Sequence, residues 1–148
     1  DTAIYEMQID NAMALNEKLP PIKGIYYFSY ACDATILADD GTRSLDPELG
    51  GGMYKVSGAR LCTYEGVTPS GYVIDEKWQA NDGLVNTYSA LVPIGAPSVD
   101  YNADSVTTGI WNVMPVMRGN HSTLQGGMTK ALNGRIFFVD LLSMINSL

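Results

Sequence analysis

Apolar residues gather in a few short stretches of this chain, separated by long passages rich in Gly, Pro, Asp and Ser. The first is IDNAMALNEKL, residues 9–19, where Ala12, Met13 and Leu15 recur at mixed helical spacing behind Asp10 or Asn11 as a cap. Pro20-Pro21 ends that predicted helix. GIYYFSYA, residues 24–31, is a continuous apolar and aromatic run, the pattern of a strand covered on both faces. A helix followed by such a strand is half of a βαβ repeat and predicts a parallel sheet. GIWNVMPVM, residues 109–117, reads as a second buried strand, with Pro115 near its end because proline cannot donate to a ladder. NGRIFFVDLLSMINSL, residues 133–148, is amphipathic, with Ile136, Phe137, Leu141, Met144 and Leu148 on one stripe and Asp140 and Asn146 off it.

The stretch from Cys32 to Trp78 has a different character. ADDGTRSLDPELGGGM punctuates it, and MYKVSGARLCTY offers one or two short strands around Ser57-Gly58. Excursions of this length are usually functional or wrap another part of the protein. LVNTYSALVP, residues 84–93, looks extended, and IGAPSVDYNADSVTT, residues 94–108, reads as a surface loop. The predicted order is helix, strand, long loop, strand, loop, helix, with no repeat: an α/β chain.

At 148 residues this is one domain's worth or part of a larger one. The 46% apolar content excludes disorder, and 16 acidic against 9 basic side chains argue against nucleic acid or an anionic membrane as partner. No run spans a bilayer and no secretory leader pattern is visible; Asp1 in place of an initiator Met leads us to expect a processed or trimmed chain. Cys32 and Cys62 lack the CxxC spacing and neighbouring histidines of a zinc site or redox pair. One disulfide and two buried thiols remain equally open.

The chain has a single imidazole, His121, in the glycine-bounded loop RGNHSTLQGG after the second predicted strand. Functional groups of open α/β sheets sit at such carboxyl ends of strands. Asp82, in the Asn81-Asp82-Gly83 turn, is a carboxylate that could accept from Nδ1–H, fix the tautomer and leave Nε2 free to take a proton. Acid before histidine, late in the chain, is the α/β-hydrolase order. Read alone, Asn-Asp-Gly is a plain turn and a lone histidine a surface or structural residue, and spacing does not separate these readings. Asp39-Asp40-Gly41 reads as a solvated turn and Gly50-Gly51-Gly52 as a flexible loop. The tyrosines of IYYFSY read as packing groups, and Ser122 is too close along the chain to be His121's nucleophile.

DTAIYEMQIDNAMALNEKL and GIYYFSYA, then PELGGGM, IDEKWQANDGLVNTYS and GIWNVMPVMRGNH, resemble in order and spacing the last third of the secreted Gram-positive triacylglycerol lipases. The resemblance covers almost the whole chain and is most specific over residues 78–87. It implies the C-terminal part of an α/β-hydrolase fold, with parallel strands, flanking helices and a long loop or hairpin excursion, residues 1–148 forming part of a single domain. It implies that Asp82 is the triad acid and His121 the general base. It also implies secretion and an ester or lipid substrate.

Two features depart from that pattern. No G-x-S-x-G elbow occurs, so the nucleophilic serine and oxyanion hole are expected from an N-terminal part, the implied partner of this chain. The family's calcium site uses the glycine at Gly50 and acidic residues after the histidine; here Thr123 and Met128 stand there. Calcium is therefore not expected, the family's zinc ligands would lie outside this chain, and no cofactor is expected for residues 1–148. The isolated chain is expected to be inactive. The rival expectation is a non-catalytic binding or structural domain that keeps the hydrolase scaffold.

Overall fold

A computed structural model describes residues 3–126 and 133–148. It is an α/β structure with parallel pairing at its centre. Strand β1 (Tyr27–Ser29) pairs with β8 (Trp111–Val113), and β8 with β7 (Ser98–Asp100), all parallel and in the order β1-β8-β7. The same two segments meet again as β2 (Cys32–Asp33) and β9 (Met117–Arg118), again parallel. Met114 N donates to Ser29 O and Met117 N to Ala31 O, but Pro115 between them has no N–H to give. Each long apolar run is thus split into two short strands.

The elements around this pair depart from the sequence expectations for identifiable reasons. Helix α1 (Ala3–Glu6) precedes α2 (Ile9–Lys18), which ends before Pro20-Pro21 as expected. Neither Asp10 nor Asn11 caps it; Gln8 is the N-cap. Asp10 instead accepts from the Thr68 and Ser70 hydroxyls at 2.5 and 2.6 Å and from Ser70 N, tying α2 to the turn between β5 (Gly66–Val67) and β6 (Val73–Ile74). These bonds, led by the Ser70 hydroxyl, hold the Asp10 carboxyl below its ordinary range.

Hairpin strands β3 (Thr35–Leu37) and β4 (Arg43–Leu45) flank the Asp39-Asp40-Gly41 turn, where Asp40 accepts from Thr42 N and Oγ1. The strands expected near Ser57-Gly58 are a 3-10 turn (Gly52–Tyr54) running into helix α3 (Lys55–Leu61). Tyr54, Gly58 and Cys62, all buried, recur every four residues, and this helical spacing outweighs the strand-like local composition. The expected extension at residues 84–93 contains helix α4 (Thr87–Leu91), whose buried Thr87 donates its hydroxyl to Cys32 O at 2.7 Å. Packing here overrides the strand preference of Val, Thr and Tyr. The expected surface loop at 94–108 contains β7.

Helix α5 (Gly134–Asn146) is capped by Asn133, whose side chain accepts from Arg135 N and Ile136 N. Phe137, Leu141 and Met144 are half-buried, and Phe137 meets Tyr30 edge-on at 5.2 Å. Ile136 and Leu148, placed on the same stripe by sequence, are exposed. The tyrosines of residues 26–30 do pack against rings: Tyr26 stacks on Phe28, and Tyr27 meets Trp111 at 5.4 Å.

The described residues do not cover the strands on both faces: Val99 in β7, and Ile25 and Tyr26 just before β1, are exposed. The core is small, made of Ala31, Cys32, Ala34, Leu49, Tyr54, Cys62, Ile74 and Trp78. Its largest fully buried side chains are polar: Asn81, Asn112 and Thr123. The accessible surface is 9662 Å² for 16.0 kDa, against about 7,400 Å² for a compact monomer of that mass. Residues 1–148 produced alone are therefore expected to lack a cooperative thermal transition and to bind an apolar dye. A sharp melt without dye binding would show that this surface is stable in water.

Candidate active site

The Asn81-Asp82-Gly83 turn follows Trp78, which is buried between the rings of Tyr72 and Tyr88. Asp82 Oδ1 accepts from Leu84 N at 2.9 Å and Val85 N at 2.8 Å, which fixes the plane of the carboxylate. Oδ2 is left to face His121 Nδ1, 2.8 Å away. Gly83 has φ +101°, and a Cβ there would meet Tyr54 Cβ at 2.6 Å, so glycine is required by both conformation and space.

His121 follows β9 by three residues, and its backbone N donates to Asp82 O at 2.8 Å. Backbone and side chain therefore join the same two residues, 39 positions apart. Asn120 is buried and holds the loop: Nδ2 donates to Leu49 O, while Oδ1 accepts from Ser122 N and from Thr123 Oγ1. Asn120 N in turn donates to Thr123 Oγ1. The side chain of His121 is 37% exposed and that of Asp82 13%. An ionised carboxylate only accepts, so Nδ1 carries the proton and Nε2 presents a lone pair. That nitrogen has no hydrogen-bond partner among the described residues, and His121 lines a cavity of about 220 Å³ together with Tyr30, Ala31, Cys32 and Leu124. The arrangement can take a proton at Nε2 while the carboxylate stabilises the resulting imidazolium.

The other candidate groups do different work. The Ser122 hydroxyl is hydrogen-bonded to that of Tyr54, and the Ser122 backbone N donates to Asn120 Oδ1. Cys32 and Cys62 are free, buried thiols. Burial, with the charges of Asp82 and Asp33, pushes Cys32 up to about 11, and burial raises Cys62 as well. At neutral pH both are protonated and weakly nucleophilic. Thr123, at a position of the calcium pattern, is buried with its hydroxyl on Asn120. Met128 lies outside the described residues. Among the described residues no three His, Cys, Asp or Glu side chains gather to hold a metal.

The fold has solved relatives. EstA from Clostridium botulinum superposes with a TM-score of 0.85 at 26% identity, over 99% of this chain and 34% of that one. Staphylococcus hyicus lipase superposes with a TM-score of 0.77 at 26% identity, over 99% and 36%. Lipase 1 from Pelosinus fermentans gives 0.75 at 28%, over 97% and 39%. A curated Staphylococcus hyicus lipase is 30% identical over 151 residues that include the whole of this chain. The chain is homologous to the Gram-positive lipases. It spans 22% of the curated relative's length. No family model matches it. No helix among the described residues is long and apolar enough to cross a membrane.

Within this lipase homologue, sequence reasoning named Asp82 and His121, and the structure brings them together. It missed Asn81, Asn120 and Tyr54, which hold them. The available signal was the repeated asparagine directly before each candidate, in Asn81-Asp82 and Asn120-His121. The thiols provide a check on the packing around this site. Iodoacetamide at pH 8 is expected to leave Cys32 and Cys62 unmodified in the folded protein and to label both after denaturation. Rapid labelling of Cys32 in the folded state would show an accessible thiolate.

Proposed function

We propose that this chain is the C-terminal part of a secreted serine carboxylic-ester hydrolase of the α/β-hydrolase fold. The supporting observation is the 2.8 Å contact between Asp82 Oδ2 and His121 Nδ1 in a homologue of lipases. The nucleophilic serine and the oxyanion hole come from an N-terminal part of the same enzyme. The substrate class is lipid or another water-insoluble carboxylic ester, the reading that the lipase relatives support.

In this mechanism Nε2 of His121 takes the serine Oγ proton as Oγ bonds to the acyl carbon. The same proton then passes to the departing alkoxide, leaving an acyl-enzyme and an alcohol. Water repeats the sequence, giving its proton to Nε2 and its oxygen to the acyl group, and the serine recovers the proton. Asp82 stays ionised throughout; it holds the ring in the Nδ1–H tautomer and stabilises the imidazolium. Raised and protonated, Cys32 does not compete as nucleophile despite bordering the same cavity.

Asp82→Asn in the full-length protein should preserve the fold, since Asn Oδ1 still accepts from Leu84 N and Val85 N. The amide favours the wrong ring tautomer, and kcat for a soluble p-nitrophenyl ester should drop by roughly 10⁴-fold. Unchanged turnover would place the triad acid elsewhere. Full-length protein that hydrolyses no ester but binds lipid would support the rival reading of a non-catalytic binding domain.

A further inference from the structure

We propose that helix α3 positions the Asp82 carboxylate, and that Gly58 and Asn81 are the positioning residues through which it does so. The inference rests on the hydrolase reading of Asp82 and His121. Asn81 is fully buried, and its carboxamide is engaged from both ends. Oδ1 accepts from Gly83 N at 2.9 Å, closing the turn around Asp82. Nδ2 donates to Gln79 O at 2.9 Å, to Gly58 O at 3.3 Å and towards Cys62 Sγ at 3.4 Å. Gly58 belongs to α3, and Cys62 directly follows it. On the other side of Asp82, Gly83 O accepts from Ser57 Oγ of α3 at 2.6 Å. Both neighbours of the acid are therefore fastened to one helix.

The helix can approach this closely only because residue 58 has no side chain. A Cβ there would lie 2.9 Å from Gly83 Cα, 3.0 Å from Asn81 Oδ1 and 2.7 Å from Leu45 Cδ2. Gly83 is backed in turn by Tyr54, so the backbone of the turn has no free space behind it, whereas the Leu45 contact is made by the end of a half-buried side chain. Glycine inside a helix costs propensity relative to alanine, and here that cost coincides with the closest approach to the acid turn. An added methyl displaces the turn, and Asp82 with it, while removing no hydrogen-bonding group of Asp82 or His121. Displacements of about 1 Å in a supporting group reduce turnover by roughly 10²-fold.

The test uses the full-length protein, a p-nitrophenyl ester of a short acid, thermal melting, and the proton NMR signal of the His121 Nδ1–H, assigned by its loss in His121→Ala. Gly58→Ala is expected to keep a cooperative melt and an unchanged KM, to lower kcat by roughly 10²-fold, and to shift or broaden the Nδ1–H signal. Asn81→Ser, which removes the Nδ2 donor without adding bulk, should behave alike. Gly51→Ala is the control on the same excursion: φ is −74° and nothing lies within 4 Å of its Cβ, so activity and signal should match wild type. Folded Gly58→Ala and Asn81→Ser proteins with wild-type kcat and Nδ1–H signal, beside an inactive His121→Ala, would overturn the positioning role and leave the hydrolase reading standing. Loss of the melting transition in both variants would also overturn it, by assigning the contact to folding. Full turnover in His121→Ala would instead remove the hydrolase reading, and this inference with it.

Discussion

A hydrogen bond between a carboxylate and an imidazole tolerates only a few tenths of an ångström, and here its partners lie 39 residues apart. Holding that distance is the constraint around which the small core is arranged. Two loops, one after the Trp78 turn and one after β9, are joined directly by the His121 N to Asp82 O bond and the side-chain contact beside it. Each loop is then anchored by the asparagine before its candidate residue, Asn81 to α3 and Asn120 to Leu49. Burying an amide costs free energy unless its donors and acceptors are met, so such side chains enforce one loop geometry. This explains why the large, fully buried side chains next to the site, Asn81 and Thr123, are polar.

The excursion between the two sheet segments contributes most of these anchors. Its hairpin is tied to β9 through Arg118, which donates to Asp46 at 2.5 Å and to Thr35 O. Asp46 is held below its ordinary range first by the Glu48 N–H and then by Arg118. Arg43 of the hairpin meets Thr35 Oγ1 at 2.7 Å and Asp33 of β2 at 3.6 Å. The strand that delivers His121 is thereby pinned at its carboxyl end, three residues before the ring. The parallel ladders alone, two and three residues long, would not fix it.

Sequence pattern reached the parts governed by local rules. The paired prolines after α2, the apolar runs that pair in parallel, the break at Pro115, the Asp40 turn and the terminal helix were all legible. Asp82 and His121 were nameable as a pair, but spacing did not separate them from a plain turn and a lone structural histidine; the lipase resemblance did, and the two side chains lie 2.8 Å apart. The failures share a cause. Residues 84–93 carry Val, Thr and Tyr but form α4, because Thr87 bonds a carbonyl 55 residues earlier. Residues 53–64 were read as offering one or two short strands around Ser57-Gly58, because the Tyr54-Gly58-Cys62 spacing acquires meaning only once Gly83 and Asn81 are placed against it. Such contacts are non-local, and no window of sequence contains them. Burial on both faces was also inferred for strands whose second face the described residues leave open.

The central claim is that Nε2 of His121 serves a serine supplied from outside residues 1–148. The most direct measurement is a crystal structure of the full-length protein after reaction with a p-nitrophenyl alkylphosphonate. Phosphorus is expected on a serine Oγ that lies before this chain's first residue, with His121 Nε2 within hydrogen-bond distance of the reacted group and the Asp82 contact to Nδ1 intact. Phosphonate bound to a residue of this chain, or to a serine that His121 cannot reach, would contradict that claim.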